Sequence, residues 1–223
     1  MNKAVLRKFS LQARQKIYEG VKQKAFAFGI TQKGISEVTS LKDGFIVNGK
    51  VMGPEELKQY THLKNRIQAD GYESVIEETT YTWFNRFIAL RFMEINNYLP
   101  IQMRVLSSMN SNKSEPDALT NILDIYEDLH LDREIIYRLQ DDSDMESLYQ
   151  YLLVGVSNQL GKIIPNVFDP ISDELALLLP DKLLADNSII HDLVKMIDET
   201  EWGNVEIIGW LYQFYISEQK DAV

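Results

Sequence analysis

The three histidines of this 223-residue chain are the side chains best suited to hold a metal ion. His62 and His130 stand apart, whereas His191 is followed directly by Asp192. Imidazole and carboxylate groups that converge on a divalent ion are typical of the all-helical HD phosphohydrolases. A His-Asp dipeptide is common by chance and no further histidine supports it, so an HD-type metal phosphohydrolase is a remote alternative.

Two further stretches approach a ligand-binding motif without completing it. Gly29 to Gly34 (GITQKG) has the spacing of a phosphate-binding loop, but Ile35 and Ser36 follow where that loop needs a lysine and a hydroxyl residue. The acidic run that begins at Asp141 lacks the glycine of a calcium loop, and Leu152 stands where the bidentate glutamate belongs. We therefore assign no catalytic, cofactor-binding or metal-binding residue.

Four cations of the first predicted helix, Asn2 to Phe28, are candidates for contact with a DNA backbone. Residues 1 to 66 hold 13 Lys and Arg against 5 Asp and Glu, whereas the remainder holds 10 against 28. A basic third can face phosphates or an acidic partner, but an acidic body is repelled by nucleic acid. Two alternatives stay open: the cations form a solvated helix face, or the two parts attract each other within one fold. The predicted contacts are Lys3, Arg7, Arg14 and Lys22.

Aromatic residues at helical spacing raise another hypothesis, the stacking of single-stranded nucleic acid. The candidates are Trp83, Trp202, Trp210, Tyr212, Phe214 and Tyr215. Their aliphatic neighbours favour burial, because such stripes usually face a hydrophobic core. The predicted structural core includes Trp83, Phe84, Phe87, Leu90 and Trp210.

The stretch from Tyr72 to Pro100 is predicted to be the central helix around which the chain packs. Apolar side chains cover more than half of its circumference at ~100° per residue, which is typical of a buried helix. Arg91 and Glu94 interrupt that surface at a spacing of three, so we expect them to pair with each other. Pro100 supplies the stop, because the residue before proline avoids the helical region.

The remaining pattern predicts a mostly α fold, a bundle of eight to ten helices with one small β-hairpin. β-forming residues flank Asn48-Gly49, so the hairpin is expected near 45–52. A Ser- and Asn-rich loop at 107–116 separates an N-terminal helical lobe, 1–106, from an acidic C-terminal helical lobe, 117–223. Further helices are predicted at Gly53 to Gly71, Asp117 to Asp128, Asp132 to Leu139, Asp144 to Ile164, Asp173 to Leu184, Ser188 to Ile197 and Asn204 to Gln219.

Composition favours a folded cytoplasmic protein. Hydrophobic residues make up 45% of the chain, which is ordinary for a soluble domain of this length. The lack of cysteine excludes disulfides, thiolate zinc sites and thiol nucleophiles, and it agrees with a cytoplasmic location. No run approaches the ~18 apolar residues of a membrane span, so we expect neither a signal peptide nor a membrane partner.

Three stretches carry a resemblance to a known family. They are TWFNRFIALRFMEINNYLP in the central helix, RVLSS at Arg104 to Ser108, and EIIGWLYQFYISEQKD at Glu206 to Asp221. In order and spacing, over essentially the whole chain, they resemble the N-terminal region of the BREX phage-defence DNA adenine methyltransferases of the PglX type. The resemblance implies a segment ahead of a much larger S-adenosylmethionine-dependent domain, and that domain is not among these 223 residues.

The motifs of methyl transfer do not occur in this sequence. An adenine-N6 methyltransferase needs a glycine-rich strand-to-helix turn for S-adenosylmethionine and a polar-Pro-Pro-aromatic turn for the target amine. Asp169-Pro170 is followed by Ile171 and is typical of a simple turn. No alternation of strands and helices predicts a doubly wound sheet. We therefore expect no cofactor in this segment and S-adenosylmethionine in the parent protein.

The resulting hypothesis is a non-catalytic N-terminal helical domain that scaffolds the methyltransferase domain of the same polypeptide, through its final helix and acidic lobe. DNA and other BREX proteins are the further partners that the resemblance suggests. The parent it resembles is a site-specific DNA adenine-N6 methyltransferase, but no enzyme activity is assigned to the segment itself. The alternative is a free-standing acidic helical interaction module that binds a basic partner.

Overall fold

The computed structural model describes residues 1–110, 112–165 and 168–221. Within these ranges the chain is mostly helical, as predicted, with ten α-helices and 62% helical content. The α-helices are α1 (Lys3–Ala27), α2 (Pro54–Asp70), α3 (Tyr72–Ile95), α4 (Asp117–Thr120), α5 (Ile122–Ile125), α6 (Arg133–Asp141), α7 (Met145–Ile163), α8 (Asp173–Leu177), α9 (Ile189–Met196) and α10 (Glu206–Asp221). The strands are β1 (Ile30–Thr31), β2 (Gly34–Ile35), β3 (Thr39–Leu41), β4 (Gly44–Val47) and β5 (Lys50–Met52), and a 3-10 helix lies at Glu199–Gly203.

The predicted hairpin is confirmed, but it is not the only sheet structure among the described residues. β4 and β5 pair antiparallel around Asn48-Gly49, both of which have positive φ (48° and 76°), as a tight two-residue hairpin requires. β3 adds a third strand to β4, and β1 pairs with β2 as a separate hairpin. Strands of two or three residues are too short to show an alternating pattern, which explains why the sequence did not indicate them.

The long helices lie close to their predicted ranges, but two of the helices predicted later in the chain have different bounds. The segment predicted as one helix at Asp117 to Asp128 forms the two short helices α4 and α5. The helix predicted to reach Leu184 ends at Leu177, because Pro180 restricts the residue before it to extended backbone. N-terminal capping is as expected for three helices, in which Asp132, Asp144 and Ser188 accept a backbone N–H of the first turn.

The chain divides into two compact units. The first unit comprises Met1–Lys16, Phe84–Pro170 and Lys182–Val223, and the second comprises Ile17–Trp83 and Ile171–Asp181. The divisions fall inside α1 and α3, whereas the predicted boundary at 107–116 lies within the first unit. Residues 107–116 themselves contain no helix or strand where they are described.

In the second unit, α2 is the element on which residues 171–181 pack. The guanidinium of Arg66 binds Asp70, Glu78 and Glu174 at 2.5, 2.7 and 3.0 Å. Trp83 is fully buried, and its Nε1 donates to the carbonyl oxygen of Leu175 at 2.9 Å. These bonds hold α8 against α2 and the adjoining part of α3.

The first unit has a core of α3, α7 and α10 side chains together with the 3-10 helix. Phe84, Phe87 and Leu90 are buried, as predicted. The rings of Phe84 and Tyr215 lie 4.6 Å apart between centroids. Trp202, on the 3-10 helix, is completely buried.

Basic residues of the first third pair with acidic residues late in the chain. In the first unit, Lys16 binds Asp192 at 2.5 Å, and the N-terminal ammonium group binds Glu201 at 3.2 Å. In the second unit the pairs are Lys24–Asp181, Lys58–Asp173 and Arg66–Glu174. Attraction within one fold, one of the alternatives for the charge asymmetry, is therefore present in both units.

Candidate functional site

Two oppositely charged side chains lie completely buried on α3 in the first unit. Nη1 of Arg91 contacts Oε1 of Glu94 at 2.5 Å, and both side chains have no exposed area. This is the pair predicted from the spacing of three, which places both groups on one side of the helix. Burial of two charges is costly unless further hydrogen bonds satisfy them, so their other partners determine what the pair does.

Those partners are the residues of the RVLSS motif. The backbone N–H groups of Val105 and Leu106 both donate to Oε2 of Glu94 at 2.8 Å. The hydroxyl of Ser107 donates to Oε1 of Glu94 at 2.9 Å and lies 2.8 Å from Nη1 of Arg91. One carboxylate therefore fixes three successive residues that have no regular secondary structure.

Groups from α7 and α4 complete the attachment of the 104–109 segment. The hydroxyl of Tyr149 donates to the carbonyl oxygen of Val105 at 2.8 Å. Complete burial raises the pKa of that hydroxyl well above its ordinary value, so it remains a donor at all physiological pH values. Asp117 accepts from the hydroxyl of Ser108 at 2.6 Å and from the N–H of Met109 at 2.8 Å.

Glu199, on the 3-10 helix, extends this network to the surface. Its carboxylate binds Arg104 through two contacts of 2.6 and 3.1 Å and binds Arg91 at 3.1 Å. The hydrogen bond from Arg104 lowers the pKa of the Glu199 carboxyl. The Glu199 side chain is 48% exposed, so this end of the network contacts solvent, whereas the Arg91–Glu94 end is buried.

The 104–109 segment forms one wall of a cleft of about 520 Å³. Residues 183–188 and the first turns of α9 form the facing wall. That wall is also held by a carboxylate, since Glu146 accepts from the N–H groups of Leu183 and Leu184 at 2.6 and 3.2 Å. Aliphatic side chains line the interior, and Lys113 and Lys195 lie exposed among the lining residues.

The final helix, α10, has apolar side chains on two different faces. Its inner face, Ile207, Leu211 and Tyr215, is completely buried. A second set continues at spacings of three and four on the outer side and is defined here as the outer stripe. It consists of Val205, which directly precedes the helix, and of Ile208, Tyr212 and Ile216. Val205 is 64% exposed and Tyr212 is 41% exposed, while Ile208 and Ile216 are half-buried.

The predicted cation face of α1 lies partly against α10. In the first unit, Nζ of Lys3 sits 3.5 Å above the ring of Trp210, and the guanidinium of Arg14 lies 5.7 Å from the ring of Tyr215. Arg7 is exposed. In the second unit, Lys22 lies 5.0 Å from the ring of Tyr18.

Trp210 is half-buried and does not belong to the core, contrary to the sequence prediction. Its ring carries Lys3 on one face and stacks on Phe214 at 5.9 Å. The physical reason is that Ile207, Leu211 and Tyr215 form the buried row of α10, and Trp210 falls on its flank. Trp202, on the 3-10 helix, is completely buried instead.

Two curated proteins match the chain over its full length. The adenine-specific methyltransferase PglX of Lacticaseibacillus casei is 35% identical over 246 aligned residues, and the adenine-specific methyltransferase BrxX of Escherichia coli is 36% identical over 232. No family model matches the chain. The chain matches the N-terminal region of the BREX adenine-specific methyltransferases. It spans about a fifth of the length of these relatives, 20% and 19%.

The family-like stretches found in sequence meet in the first unit. The α3 stretch supplies Arg91 and Glu94, the RVLSS stretch supplies their partners, and the α10 stretch supplies the outer stripe. Sequence analysis identified all three stretches, but it did not identify Glu146, Tyr149 or Glu199. These residues form hydrogen bonds with residues that are 37 to 108 positions away in the sequence, and no local pattern marks such contacts.

Among the described residues, the histidines are not grouped with other possible metal ligands. Nδ1 of His62 lies 3.1 Å from Oδ2 of Asp173, and the backbone N–H of His191 donates to the cap hydroxyl of Ser188. Within the described ranges no group of three or more His, Asp or Glu side chains is placed to hold a metal ion. Nor does that part of the chain contain a helix long and apolar enough to cross a membrane.

Proposed function

We propose that this chain is a non-catalytic helical region of a BREX DNA adenine-N6 methyltransferase, and that it scaffolds the methyltransferase domain of the same polypeptide. The observation that carries the proposal is the outer stripe of α10, a partly exposed apolar row beside the row that already fills the core. The match to about a fifth of two adenine-specific methyltransferases supports a partner within the same protein.

The energetic argument rests on the side chains of the stripe. Full burial of a valine or isoleucine side chain contributes ~1.5–3 kcal/mol. Most of this contribution is missing for Val205, which is 64% exposed, and part of it is missing for the half-buried Ile208. Contiguous exposed apolar surface on a folded domain typically marks an interface. A packing partner that covers the stripe would recover that free energy.

S-adenosylmethionine belongs, in this proposal, to the remaining four fifths of the protein. The described strands form two small antiparallel sheets of two and three strands. Sheets of this kind do not provide the glycine-rich strand-to-helix turn that holds the methyl donor. The Asp169-Pro170 turn is used structurally, because the carbonyl oxygen of Asp169 accepts from Arg86, whose guanidinium also lies 4.4 Å from the ring of Phe168.

The test is a charge inserted into the stripe of the full-length protein. Val205→Glu with Ile208→Glu should lower site-specific adenine methylation, because the domains no longer pack. For the same reason, a low concentration of protease should cleave the double variant faster than the unmodified protein. Gln213→Glu is the matched control, since Gln213 is exposed on the same helix outside the stripe. Full methylation and unchanged protease resistance in the double variant would contradict the proposal.

DNA contact by the basic first helix is a second proposal. The exposure of Arg7 favours it, and Lys3 is held in place over Trp210 beside the same face of α1. Contacts of this kind supply affinity without sequence preference, because phosphates are the same at every base pair.

A further inference from the structure

A surface on α5 and α6 in the first unit combines a leucine, an arginine and two tyrosines. The guanidinium of Arg133 lies 5.8 Å from the ring of Tyr126 and 5.1 Å from the ring of Tyr137. Its Nε also donates to the hydroxyl of Tyr137 at 2.9 Å. Leu123 precedes Tyr126 by three residues in a helical backbone, so the two lie on the same side. These four residues are called the tyrosine surface.

The apolar groups of the tyrosine surface are partly exposed, although the isoleucines of the same two helices are buried in the core. Leu123 is 39% exposed, Tyr137 is 40% exposed and Tyr126 is half-buried. Arg133 already holds both rings in place, so a partner that packs on them pays little for ordering side chains. Tyrosine and arginine are also the residue types that dominate the binding energy of protein interfaces.

Carboxylates surround this surface. Residues 121–144 hold 8 Asp and Glu against 2 Arg, and all eight carboxylate residues are exposed. Glu127 accepts from the hydroxyl of Tyr126 at 2.8 Å, which places it at one border. Asp141 follows Arg133 and Tyr137 on α6 at successive spacings of four, so it borders the other end.

These eight carboxylates keep their charge uncompensated within the described ranges. The basic residues of the first third pair with other acids, as in the Lys16–Asp192 and Lys24–Asp181 contacts. None of the salt bridges between described residues includes a carboxylate of residues 121–144. A surface of this charge attracts cationic groups and repels phosphates.

We propose that the tyrosine surface docks a basic segment of a separate protein. Aliphatic side chains of the segment pack on Leu123 and the two tyrosine rings, and its Lys and Arg residues pair with the bordering carboxylates. Charge complementarity favours a separate molecule, because it mainly accelerates the encounter of freely diffusing partners. A domain of the same polypeptide is already held close by its linker and has less need of such attraction.

Binding of a defined peptide to the 223-residue chain tests the proposal. The probe is the acetylated, amidated peptide Lys-Arg-Leu-Ala-Lys-Arg-Leu-Ala-Lys-Arg, and the comparison peptide has serine in place of both leucines at the same charge. Calorimetry at low salt should show that the leucine peptide binds about tenfold more tightly, since it buries two more apolar side chains. Raising the salt concentration should weaken the binding of both peptides.

An uncharged double variant tests the apolar part of the surface. Leu123→Ala with Tyr137→Ala keeps the net charge and should weaken binding of the leucine peptide about tenfold. The matched control is Leu41→Ala with Val51→Ala, which shortens two side chains of the second unit that are 43% and 66% exposed. The control should bind the peptide like the unmodified chain, and equal melting temperatures verify that both variants are folded.

A charge-reversal pair tests the border. Glu127→Lys with Asp141→Lys should weaken binding about tenfold at low salt, because two attractive pairs become repulsive. Glu37→Lys with Asp43→Lys makes the same charge change at exposed positions of the second unit and should have a much smaller effect. Equal losses in the two charge variants, or equal affinities of the two peptides, would show only general charge attraction and would overturn the proposal.

Two further measurements exclude other occupants. The full-length protein should bind the leucine peptide as tightly as the 223-residue chain does, and loss of binding there would mean that the rest of the polypeptide covers the surface. Sedimentation should show no self-association that Leu123→Ala with Tyr137→Ala removes, since such a result would identify a second copy as the occupant. Either result would overturn the proposal. The Val205→Glu, Ile208→Glu variant should bind the peptide normally, so the scaffold role and this docking surface fail separately.

Discussion

Two family-like stretches of the first unit use their side chains in opposite ways. α3 places the charges of Arg91 and Glu94 inside the protein, whereas the apolar outer stripe of α10 stays partly exposed to solvent. Each arrangement costs stability when considered alone. The buried charges are compensated within the chain, because they hold the 104–109 segment, but nothing described covers Val205. In the proposed scaffold role, α3 acts within this region and α10 acts toward the methyltransferase domain.

The largest expected effect is the loss of the buried carboxylate. Glu94→Gln leaves the buried charge of Arg91 with only the partly exposed Glu199 as a counterion, so the free energy of unfolding should fall by ~3–5 kcal/mol. Denaturant titration followed by circular dichroism measures it. Glu134→Gln removes an exposed carboxylate on α6 and should change stability by less than ~0.5 kcal/mol.

A smaller effect is expected from the hydroxyl behind the 104–109 segment. Tyr149→Phe removes the hydrogen bond to the carbonyl oxygen of Val105 while it keeps the buried ring, which should cost ~1–3 kcal/mol because the acceptor stays buried. Tyr137→Phe is the matched control at a 40% exposed tyrosine. Equal stabilities of the two variants would show that Tyr149 does not hold the segment.

These two experiments concern contacts of very different predictability. The Arg91–Glu94 pair follows from helical spacing alone, so it was predictable, as were α1, α2, α3 and the Asn48-Gly49 turn. The bonds from Glu94 to residues 105–107 and from Tyr149 to Val105 depend on tertiary packing, which no local pattern encodes. α10 shows the same limit, because both of its faces are apolar and only the fold determines which one is buried.

The exposed end of the network should respond to pH. The pKa of Glu199 is lowered in the folded protein, chiefly by its hydrogen bond from Arg104. A carboxyl with a lowered folded pKa contributes stability above its unfolded pKa of about 4.3, and the contribution is lost as the pH falls through the folded pKa. Glu199→Gln should therefore reduce the pH dependence of stability below about pH 4.3. The measurement is the melting temperature as a function of pH. If it falls at low pH as steeply in this variant as in the unmodified chain, the role of the Arg104 pair is contradicted.

The smallest effect is expected at the α1 cation face beside α10. Arg7→Glu removes one exposed cation, so the slope of log affinity against log salt for duplex DNA should fall by about 1 in magnitude, whatever the DNA sequence. Fluorescence anisotropy over a salt series measures this slope. Lys42→Glu is the charge-matched control in the second unit. Identical slopes for both variants and the unmodified chain would exclude Arg7 from the DNA contact.

Amide hydrogen exchange along α10 tests the docking of the outer stripe most directly. Exchange is compared between the 223-residue chain and the full-length protein under the same conditions. The account predicts slower exchange across residues 205–216 in the full-length protein, because a packing partner suppresses local opening of the helix. Equal exchange in both proteins would contradict it, since the stripe would then face water in the whole methyltransferase as well.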